Sequence, residues 1–199
     1  MITVIAGVNG AGKSSVFGSH VRAVRGEYFN PDEVAARMLR TDPKLTREQA
    51  NGLAWQANLS LLDEAIAADD DYIFETTLGG ATITARLHHA MDIGRDVRIL
   101  FCGLGSPELH IERVAARVKK GGHPIPEAKI RERCTDSIHN FMTLLPRCQA
   151  VRVLDNSGTL AQLQVLFALE AGRLVTEFAD PMSDWAKPLA TVAIQKLLQ

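Results

Sequence analysis

Near its N-terminus the chain carries the sequence Gly7-Val-Asn-Gly-Ala-Gly-Lys-Ser14, which fits the phosphate-binding P-loop pattern Gly-x-x-x-x-Gly-Lys-Ser/Thr. An apolar, β-branched run precedes it at residues 2–6, and a helix can begin at Lys13. The motif requires this order of strand, glycine loop and helix, because backbone N–H groups and the helix N-terminus bind the phosphates. The pattern therefore predicts a nucleotide site, with a glycine-rich turn that holds no ligand as the alternative.

The positions of the motif have separate roles. Its glycines can adopt backbone angles that are closed to other residues and let the chain approach an anion closely. We expect Lys13 to reach the β- and γ-phosphates of ATP and the Ser14 hydroxyl to bind Mg²⁺. The predicted nucleotide contacts, which include one residue at the end of a later strand, are Gly7, Asn9, Gly10, Ala11, Gly12, Lys13, Ser14, Ser15 and Asn156.

Composition predicts one ordinary α/β domain over residues 1–199. The chain is 46% hydrophobic and 23% charged with a formal net charge of −1, so charge gives no argument for a nucleic-acid or membrane partner. Cys102, Cys134 and Cys148 are odd in number and have no CxxC spacing, which favours reduced thiols in the core. No signal peptide or apolar run of membrane-spanning length occurs. We therefore expect a cytoplasmic protein.

Strands and helices alternate along the sequence. Apolar runs predict strands at 2–6, 27–30, 72–76, 96–103 and 150–155, followed by a β-hairpin at 164–169 and 173–178. Helical periodicity and start signals predict helices over about 13–25, 31–39, 46–68, 80–92, 107–120, 127–145 and 182–198. The alternation predicts a three-layer α/β domain, built on a five-stranded parallel sheet. A helical lid over about 107–145 and a C-terminal hairpin plus helix complete it.

Two acids, Asp32 and Glu75, lie at the ends of predicted strands, on the edge of the sheet where ligands bind. Asp32 is suited to accept a proton from an attacking hydroxyl, although it is also a typical acid for a helix N-terminus. Glu75 can bind Mg²⁺ through water or hold a substrate hydroxyl, and a solvated acid at a strand end is the alternative. The apolar run that ends at Asp155 comes late in the chain for a Walker B site, which weakens the interpretation as a mechanical ATPase.

The segment 113–133 is strongly basic. It contains seven Lys or Arg residues and two acids, Glu127 and Glu132, so its formal charge is +7 − 2 = +5. Arg113 and Arg117 share a helix face because they are four residues apart. Arginines on a segment that can close over a phosphoryl group indicate a kinase lid. A solvated basic helical hairpin and a nucleic-acid patch are the alternatives, and the segment lacks the interleaved aromatic residues of the latter.

The chain resembles the zeta-toxin family of P-loop kinases, in particular its short branch of predicted ATPases. The resemblance rests on the P-loop, on Asn30-Pro-Asp32, on Phe74-Glu-Thr-Thr-Leu78, and on the segment from Arg113 through Gly121-Gly-His-Pro-Ile-Pro126 to Arg133. It implies ATP-dependent phosphorylation of a sugar-nucleotide hydroxyl, with UDP-N-acetylglucosamine as the best-known acceptor. A protein antitoxin is the partner that the resemblance implies.

Matched by position, the resemblance assigns a role to each site residue. Lys13 and Ser14 would bind ATP and Mg²⁺, and Asp32 would be the catalytic base. Glu75 and Thr76 would face the substrate or the metal. The lid arginines on the phosphates would be Arg117 and Arg131, with Arg133 as the competing choice.

The sequence departs from this family in two places. Larger zeta toxins carry extra C-terminal helices, and the acid lies in Asn-Pro-Asp32-Glu rather than in an Asp-rich stretch. A nucleotide hydrolase that acts as a switch or motor, and a non-enzymatic ATP-binding protein in a toxin–antitoxin pair, are the rival hypotheses.

We expect the substitution Lys13→Ala to abolish nucleotide binding or turnover, because no other motif residue supplies a cation to the phosphates. Calorimetric titration with ATP measures the effect, and thermal unfolding checks that the variant folds. Wild-type affinity in a folded Lys13→Ala variant would contradict the assignment of the P-loop.

Overall fold

A computed structural model describes residues 1–18, 21–23, 26 and 28–198. Its strands form one sheet in the order β2-β1-β3-β4-β5-β6. Their bounds are β1 (Ile2–Ala6), β2 (Tyr72–Thr76), β3 (Val97–Gly103), β4 (Ala150–Asp155), β5 (Gln164–Glu170) and β6 (Arg173–Thr176). The first four are parallel and the last two are antiparallel. The predicted α/β class is confirmed, with the hairpin joined to the sheet.

Residues 21–23 are helical, and six further α-helices flank the sheet in the described part of the chain. They are α1 (Pro31–Thr41), α2 (Arg47–Ala68), α3 (Ala81–Asp92), α4 (Pro107–Lys119), α5 (Glu127–Leu144) and α6 (Lys187–Leu197). A short π-helical segment, Ser14–Gly18, follows the P-loop, and 3₁₀ turns lie at Leu145–Arg147, Leu160–Gln162 and Asp184–Ala186. Side chains cap several starts: Ser106 accepts from the backbone N–H of Leu109, and Thr46 forms a capping box with Gln49.

Apolar side chains cover both faces of the parallel sheet, as a three-layer architecture requires. On one face, Val4, Ile99 and Val153 lie in a core to which α2, α3, α5 and α6 contribute. On the opposite face, Ile5 and Leu154 belong to a smaller cluster beside the segment that follows the P-loop. Alternate residues of each strand thus serve different layers.

A separate apolar cluster seats the lid helices on the P-loop. It joins Val8 of the loop to Val114 of α4 and Ile130 of α5, and all three side chains are buried. The C-terminal half of α5 instead packs on the sheet, where Phe141 stacks on Phe101 with ring centroids 4.9 Å apart. Helix α5 therefore spans from the sheet to the loop and fixes the lid above it.

The predicted strand at 27–30 is not a regular strand. Among the described residues, Phe29 forms a single bridge to Phe74, and Asn30 already caps α1. Pro31 has no N–H group and begins the helix, so pairing cannot continue. Four strands therefore form the parallel part of the sheet, rather than five. Glu27 of that prediction, and Ser19, His20, Val24 and Arg25 of the predicted helix 13–25, lie outside the described residues.

The C-terminal hairpin was predicted correctly. Ala171 and Gly172 connect β5 to β6 with φ angles of 48° and 74°. Two consecutive left-handed residues form the type I′ turn that suits a two-residue hairpin loop. Strand β5 also pairs with β4, so the hairpin extends the sheet on the side away from β2.

Two predictions from composition can be compared with the described residues. None of their helices is long and apolar enough to cross a membrane. All three cysteines are free, and burial raises the pKa of the Cys102 thiol to about 12 and that of Cys134 to about 11. They are reduced thiols with little thiolate character, as the sequence predicted.

Candidate active site

The P-loop is braced by β3 on one side and by the residue after β4 on the other. Gly7 has a φ of 140°, and a Cβ atom there would overlap the carbonyl oxygen of Cys102, so only glycine fits. The Asn156 side-chain amide donates to the carbonyl oxygen of Ala11 at 2.9 Å. A Cβ atom at Gly12 would lie 2.5 Å from that amide nitrogen. Asn156 therefore holds the loop itself, in addition to any contact with a nucleotide.

The ammonium group of Lys13 is buried beneath the loop. Its Nζ donates to the carbonyl oxygen of Gly7 at 2.8 Å and lies 3.5 Å from Oε1 of Glu75. The Ser14 hydroxyl donates to Oε2 of the same carboxylate at 2.8 Å. Parallel pairing of β1 with β2 brings these groups to one edge of the sheet. One carboxylate thus contacts both of the side chains that P-loop chemistry requires.

The donor set at this point fits Mg²⁺. Ser14 and Glu75 supply hydroxyl and carboxylate oxygens, and Mg²⁺ prefers such ligands together with water and substrate phosphates. Their 2.8 Å contact shows that both oxygens lie at one place. Among the described residues, no group of three or more His, Cys, Asp or Glu side chains can hold a metal alone. The arrangement suits a metal that arrives with a nucleotide.

Asp32 is the second residue of α1 and faces the lid. The side-chain oxygen of Asn30 caps this helix, accepting from the backbone N–H groups of Asp32 at 3.0 Å and Glu33 at 3.4 Å. The Asp32 carboxylate lines a cleft beside the P-loop, and its Oδ2 lies 3.7 Å from Nη1 of Arg117. Asp32 therefore lies both in the first turn of a helix and in the lining of the cleft beside the P-loop.

The cleft has a volume of about 480 Å³ and lies between the P-loop, α2, the end of β2 and the lid. Asn51, Trp55 and Asn58 of α2 share one helix face, since they are four and three residues apart. The indole of Trp55 is 45% exposed. Lys129 and Arg133 line the cleft from α5. Sequence reasoning missed the α2 residues, because it used that helix only for its apolar period.

One arginine from each lid helix reaches the cleft region. On α4, Arg117 contacts the Asp32 carboxylate and also donates to the backbone oxygen of His123 at 3.5 Å. On α5, Nη1 of Arg133 donates to Oδ1 of Asn9 in the P-loop at 2.6 Å. Burial lowers the pKa of the Arg133 guanidinium, and the nearby Asp32 carboxylate opposes that shift. Two cations and one acid thus face the space beside the P-loop.

Arg131 lies on a different face of α5. It pairs with Glu108 at 2.6 Å, and both side chains are about half exposed or more. Residues two positions apart in an α-helix are separated by about 200° around its axis. Arg131 and Arg133 therefore point in different directions. The structure brings Arg133 to the cleft and leaves Arg131 in an ion pair outside its lining.

The P-loop residue Asn9 is held from both lid helices. His110, in the first turn of α4, donates from Nδ1 to the backbone oxygen of Asn9 at 2.9 Å, while Arg133 of α5 binds its side chain. Burial lowers the pKa of His110 to about 4, with a backbone hydrogen bond to Asn9 opposing it and Lys13 adding to it. The imidazole is therefore neutral near pH 7. No sequence motif marked His110.

Asp155 braces the loop that carries Asn156. Its carboxylate accepts hydrogen bonds from Ser183 at 2.7 Å, from the indole of Trp185 at 2.8 Å and from the backbone of Ser157 at 2.7 Å. Burial alone would raise the pKa of Asp155, but the hydrogen bonds from Ser157, Trp185 and Ser183 hold it below its ordinary value. These hydrogen bonds tie the loop after β4 to the segment that contains Ser183 and Trp185.

The remaining predicted residues lie on the same edge of the sheet. Thr76 ends β2 and lines the cleft, where its hydroxyl accepts from the backbone N–H of Leu78 at 3.1 Å. Gly10 packs closely on the backbone oxygen of His110, and Ser15 is exposed at the start of the segment after the loop. Apart from Arg131, the predicted site residues thus converge around the loop and cleft, and their catalytic roles stay predictions.

Comparison with known sequences gives a family and one curated relative. A family profile described as an AAA domain matches residues 2–134. A Haemophilus influenzae protein described as uncharacterized is 31% identical over 127 residues, which are 64% of this chain and 87% of that protein.

Comparison with solved structures gives the same fold at low sequence identity. The AvrRxo1-ORF1:AvrRxo1-ORF2 complex, solved with sulphate ions and also with ATP, matches with a TM-score of 0.70 at 14% and 15% identity. The match covers 94% of this chain, which spans only 64% of the matched chain. The PezAT chromosomal toxin–antitoxin system of Streptococcus pneumoniae matches with a TM-score of 0.58 at 14% identity, over 98% of this chain and 84% of that one.

The neutral imidazole of His110 predicts a pH dependence of stability. The pKa of His110 is about 4 in the folded chain, against an ordinary value of 6.5 for the unfolded chain. The stability that the neutral imidazole contributes is therefore present above pH 6.5 and is lost as the pH falls towards 4. The loss between pH 7 and pH 5 is about 2 kcal/mol. His110→Asn, whose amide can replace the Nδ1 donor, should remove this loss.

Urea unfolding of both chains at pH 7 and pH 5 measures the effect. The wild type should lose more free energy of unfolding than His110→Asn over this interval. An equal loss in both chains would show that His110 titrates normally.

Proposed function

We propose, from the premise that this chain belongs to the AAA domain family, that it transfers the γ-phosphoryl group of ATP to a hydroxyl group of a small molecule. The observation that carries the proposal is the placement of Asp32 in one cleft with Lys13, Glu75 and Arg133. A nucleotide hydrolase needs a site for water, whereas this cleft of about 480 Å³ is large enough for a second substrate beside the P-loop.

The proposed reaction is an in-line transfer. The acceptor oxygen forms a bond to the γ-phosphorus as the bond from that phosphorus to the bridging oxygen of ADP breaks, and Asp32 takes the hydroxyl proton. Lys13 and the backbone of the P-loop hold the β- and γ-phosphates, and the guanidinium groups of Arg117 and Arg133 stabilise the charge on the transferred group. When bound between Ser14, Glu75 and the nucleotide, Mg²⁺ supplies further neutralisation of phosphate charge.

The contact between Arg117 and Asp32 supports this division of roles. Nη1 of Arg117 lies 3.7 Å from Oδ2 of Asp32, so the guanidinium group stands beside the carboxylate that would accept the proton. Arg117 is 38% exposed at its side chain, so it has room to turn from Asp32 towards a phosphate. In this proposal the guanidinium group of Arg117 contacts Asp32 before the transfer and the transferred phosphoryl group during it.

The lining of the cleft supports a sugar-nucleotide-like acceptor. The exposed indole of Trp55 offers a face for a sugar ring or a base, and Asn51 offers an amide that can hydrogen-bond hydroxyl groups. Lys129 and Arg133 offer positive charge for an acceptor phosphate. With the resemblance to zeta toxins in the Glu75-Thr76 strand end and the lid, UDP-N-acetylglucosamine is the first acceptor to test.

A protein partner is a second element of the proposal. The matched structures are described as an AvrRxo1-ORF1:-ORF2 complex and as the PezAT toxin–antitoxin system. By analogy with these, an antitoxin that covers the cleft would control the activity of this chain.

We expect Asp32→Asn to keep ATP affinity and to lose phosphoryl transfer by a factor of about 10²–10⁴, since the amide cannot accept the proton. The measurement is a ³¹P and mass-spectrometric screen of ATP with UDP-sugars and other nucleotides, with wild type and variant side by side. A kinase hydrolyses ATP slowly until its acceptor is present. Fast hydrolysis without any acceptor would favour the hydrolase, and wild-type transfer in Asp32→Asn would remove Asp32 as the base.

The two neighbouring arginines of α5 give a matched pair of variants. Arg133→Ala should lower transfer by at least about 100-fold, because its guanidinium lies at the P-loop and cleft. Arg131→Ala should lose only an exposed ion pair with Glu108 and retain most of the rate. Initial rates at saturating ATP decide between them. The reverse order of effects would restore Arg131 as the lid arginine.

A further inference from the structure

The side chain of Asn30 lies at the junction of three parts of the site. It is only 5% exposed and contacts the P-loop, the end of β2 and the first turn of α1. The backbone of the preceding residue, Phe29, keeps Asn30 there. The N–H of Phe29 donates to the carbonyl oxygen of Ile73 at 2.9 Å, and the carbonyl oxygen of Phe29 accepts from the N–H of Glu75 at 2.8 Å. Asn30 is therefore fixed beside Glu75 before its side chain makes any contact.

The two ends of the Asn30 amide serve different elements. The oxygen caps α1 by accepting from Asp32 and Glu33. The nitrogen donates to Oε2 of Glu75 at 3.3 Å and to the Ser14 hydroxyl at 3.4 Å, and it has a longer contact of 3.5 Å with Oε1 of Glu33 in α1. The nitrogen is thus the end of the amide that reaches β2 and the P-loop. An amide is the side-chain group that can accept on one side and donate on the other in one plane. Aspartate and serine also cap helices, but aspartate has no donor, and the shorter serine side chain has a single hydroxyl in place of the two ends of the amide.

We propose that Asn30 is a positioning residue that links the helix of Asp32 to the Ser14–Glu75 pair. Its oxygen sets the first turn of α1, and hence Asp32, while its nitrogen orients the oxygens suited to Mg²⁺. Because the Asn30 side chain is itself buried, its removal takes away a donor that is held in place beside Glu75. The inference rests on the proposed function for its consequence in catalysis, but the link between Asn30 and metal-dependent nucleotide binding is separate from phosphoryl transfer.

Asn30→Ser separates the two ends of the amide. Serine keeps an oxygen at the cap of α1, but its side chain is one bond shorter than that of asparagine, so its hydroxyl does not replace the amide nitrogen that reaches Glu75 and Ser14. Thr46→Ala is the matched control, because it removes the side-chain cap of α2, whose hydroxyl bonds to Gln49. Asn30→Ala removes both the cap and the donor.

The readouts are the Mg²⁺ dependence of binding of a fluorescent ATP analogue and the melting temperature. Asn30→Ser should melt close to the wild type but need about tenfold more Mg²⁺ for half-maximal binding, as expected for one hydrogen bond to a charged group. Thr46→Ala should melt about 2–4 °C lower with unchanged Mg²⁺ dependence. Asn30→Ala should show both changes.

Wild-type Mg²⁺ dependence in Asn30→Ser would overturn the proposal and leave Asn30 as a cap only. Binding of the analogue to the wild type without any effect of Mg²⁺ would also overturn it. A shifted Mg²⁺ dependence in Asn30→Ser, without transfer to any acceptor by the wild type, would support the positioning role and reject the kinase.

Discussion

Parallel pairing brings Ala6, the last residue of β1, level with Thr76 of β2 and Phe101 of β3. The residues that follow these strand ends therefore emerge on one edge, where the P-loop meets Glu75. A shift of two residues in either pairing would move a strand end by about 7 Å, farther than a hydrogen bond can reach. The apolar side chains on both faces oppose such a shift, because it would take each of them out of its packed position in the two cores. Core packing thus fixes the distances on which the proposed chemistry depends.

The lid and the P-loop form one connected unit. Val8, Val114 and Ile130 pack between them, and the two lid helices meet at Asn9 through His110 and Arg133. Movement of either helix would therefore act on the P-loop. The contacts with Asn9 are single hydrogen bonds, from the imidazole of His110 and from the half-buried guanidinium group of Arg133. Under the proposed function, binding of a phosphate could therefore be transmitted to the lid through exchange of these hydrogen bonds.

Sequence predicted the fold and most of the site for physical reasons that differ between residues. Gly7 and Lys13 belong to a motif that requires a strand before it and a helix after it. Parallel pairing of β1 with β2 then places Glu75 beside that motif. Which of Arg131 and Arg133 faces the cleft depends on how α5 is rotated about its axis, and a count of charges in the sequence does not give that rotation. Trp55 and His110 are defined by long-range packing and carry no local signal. In place of the expected strand at 27–30 there is a single bridge at Phe29. Asn30 and Pro31 begin a helix there, so strand pairing does not continue.

The P-loop is braced by residues that lie far from it in the sequence. Asn156 bonds to Ala11 across a separation of 145 residues, and the neighbouring Asp155 is held by Ser183 and Trp185. During synthesis the ribosome therefore releases the P-loop well before the groups that secure it. A nascent chain would acquire the braced form of the loop only after Ser183 and Trp185 have been released. An activity that consumes ATP would then begin only after that point of translation.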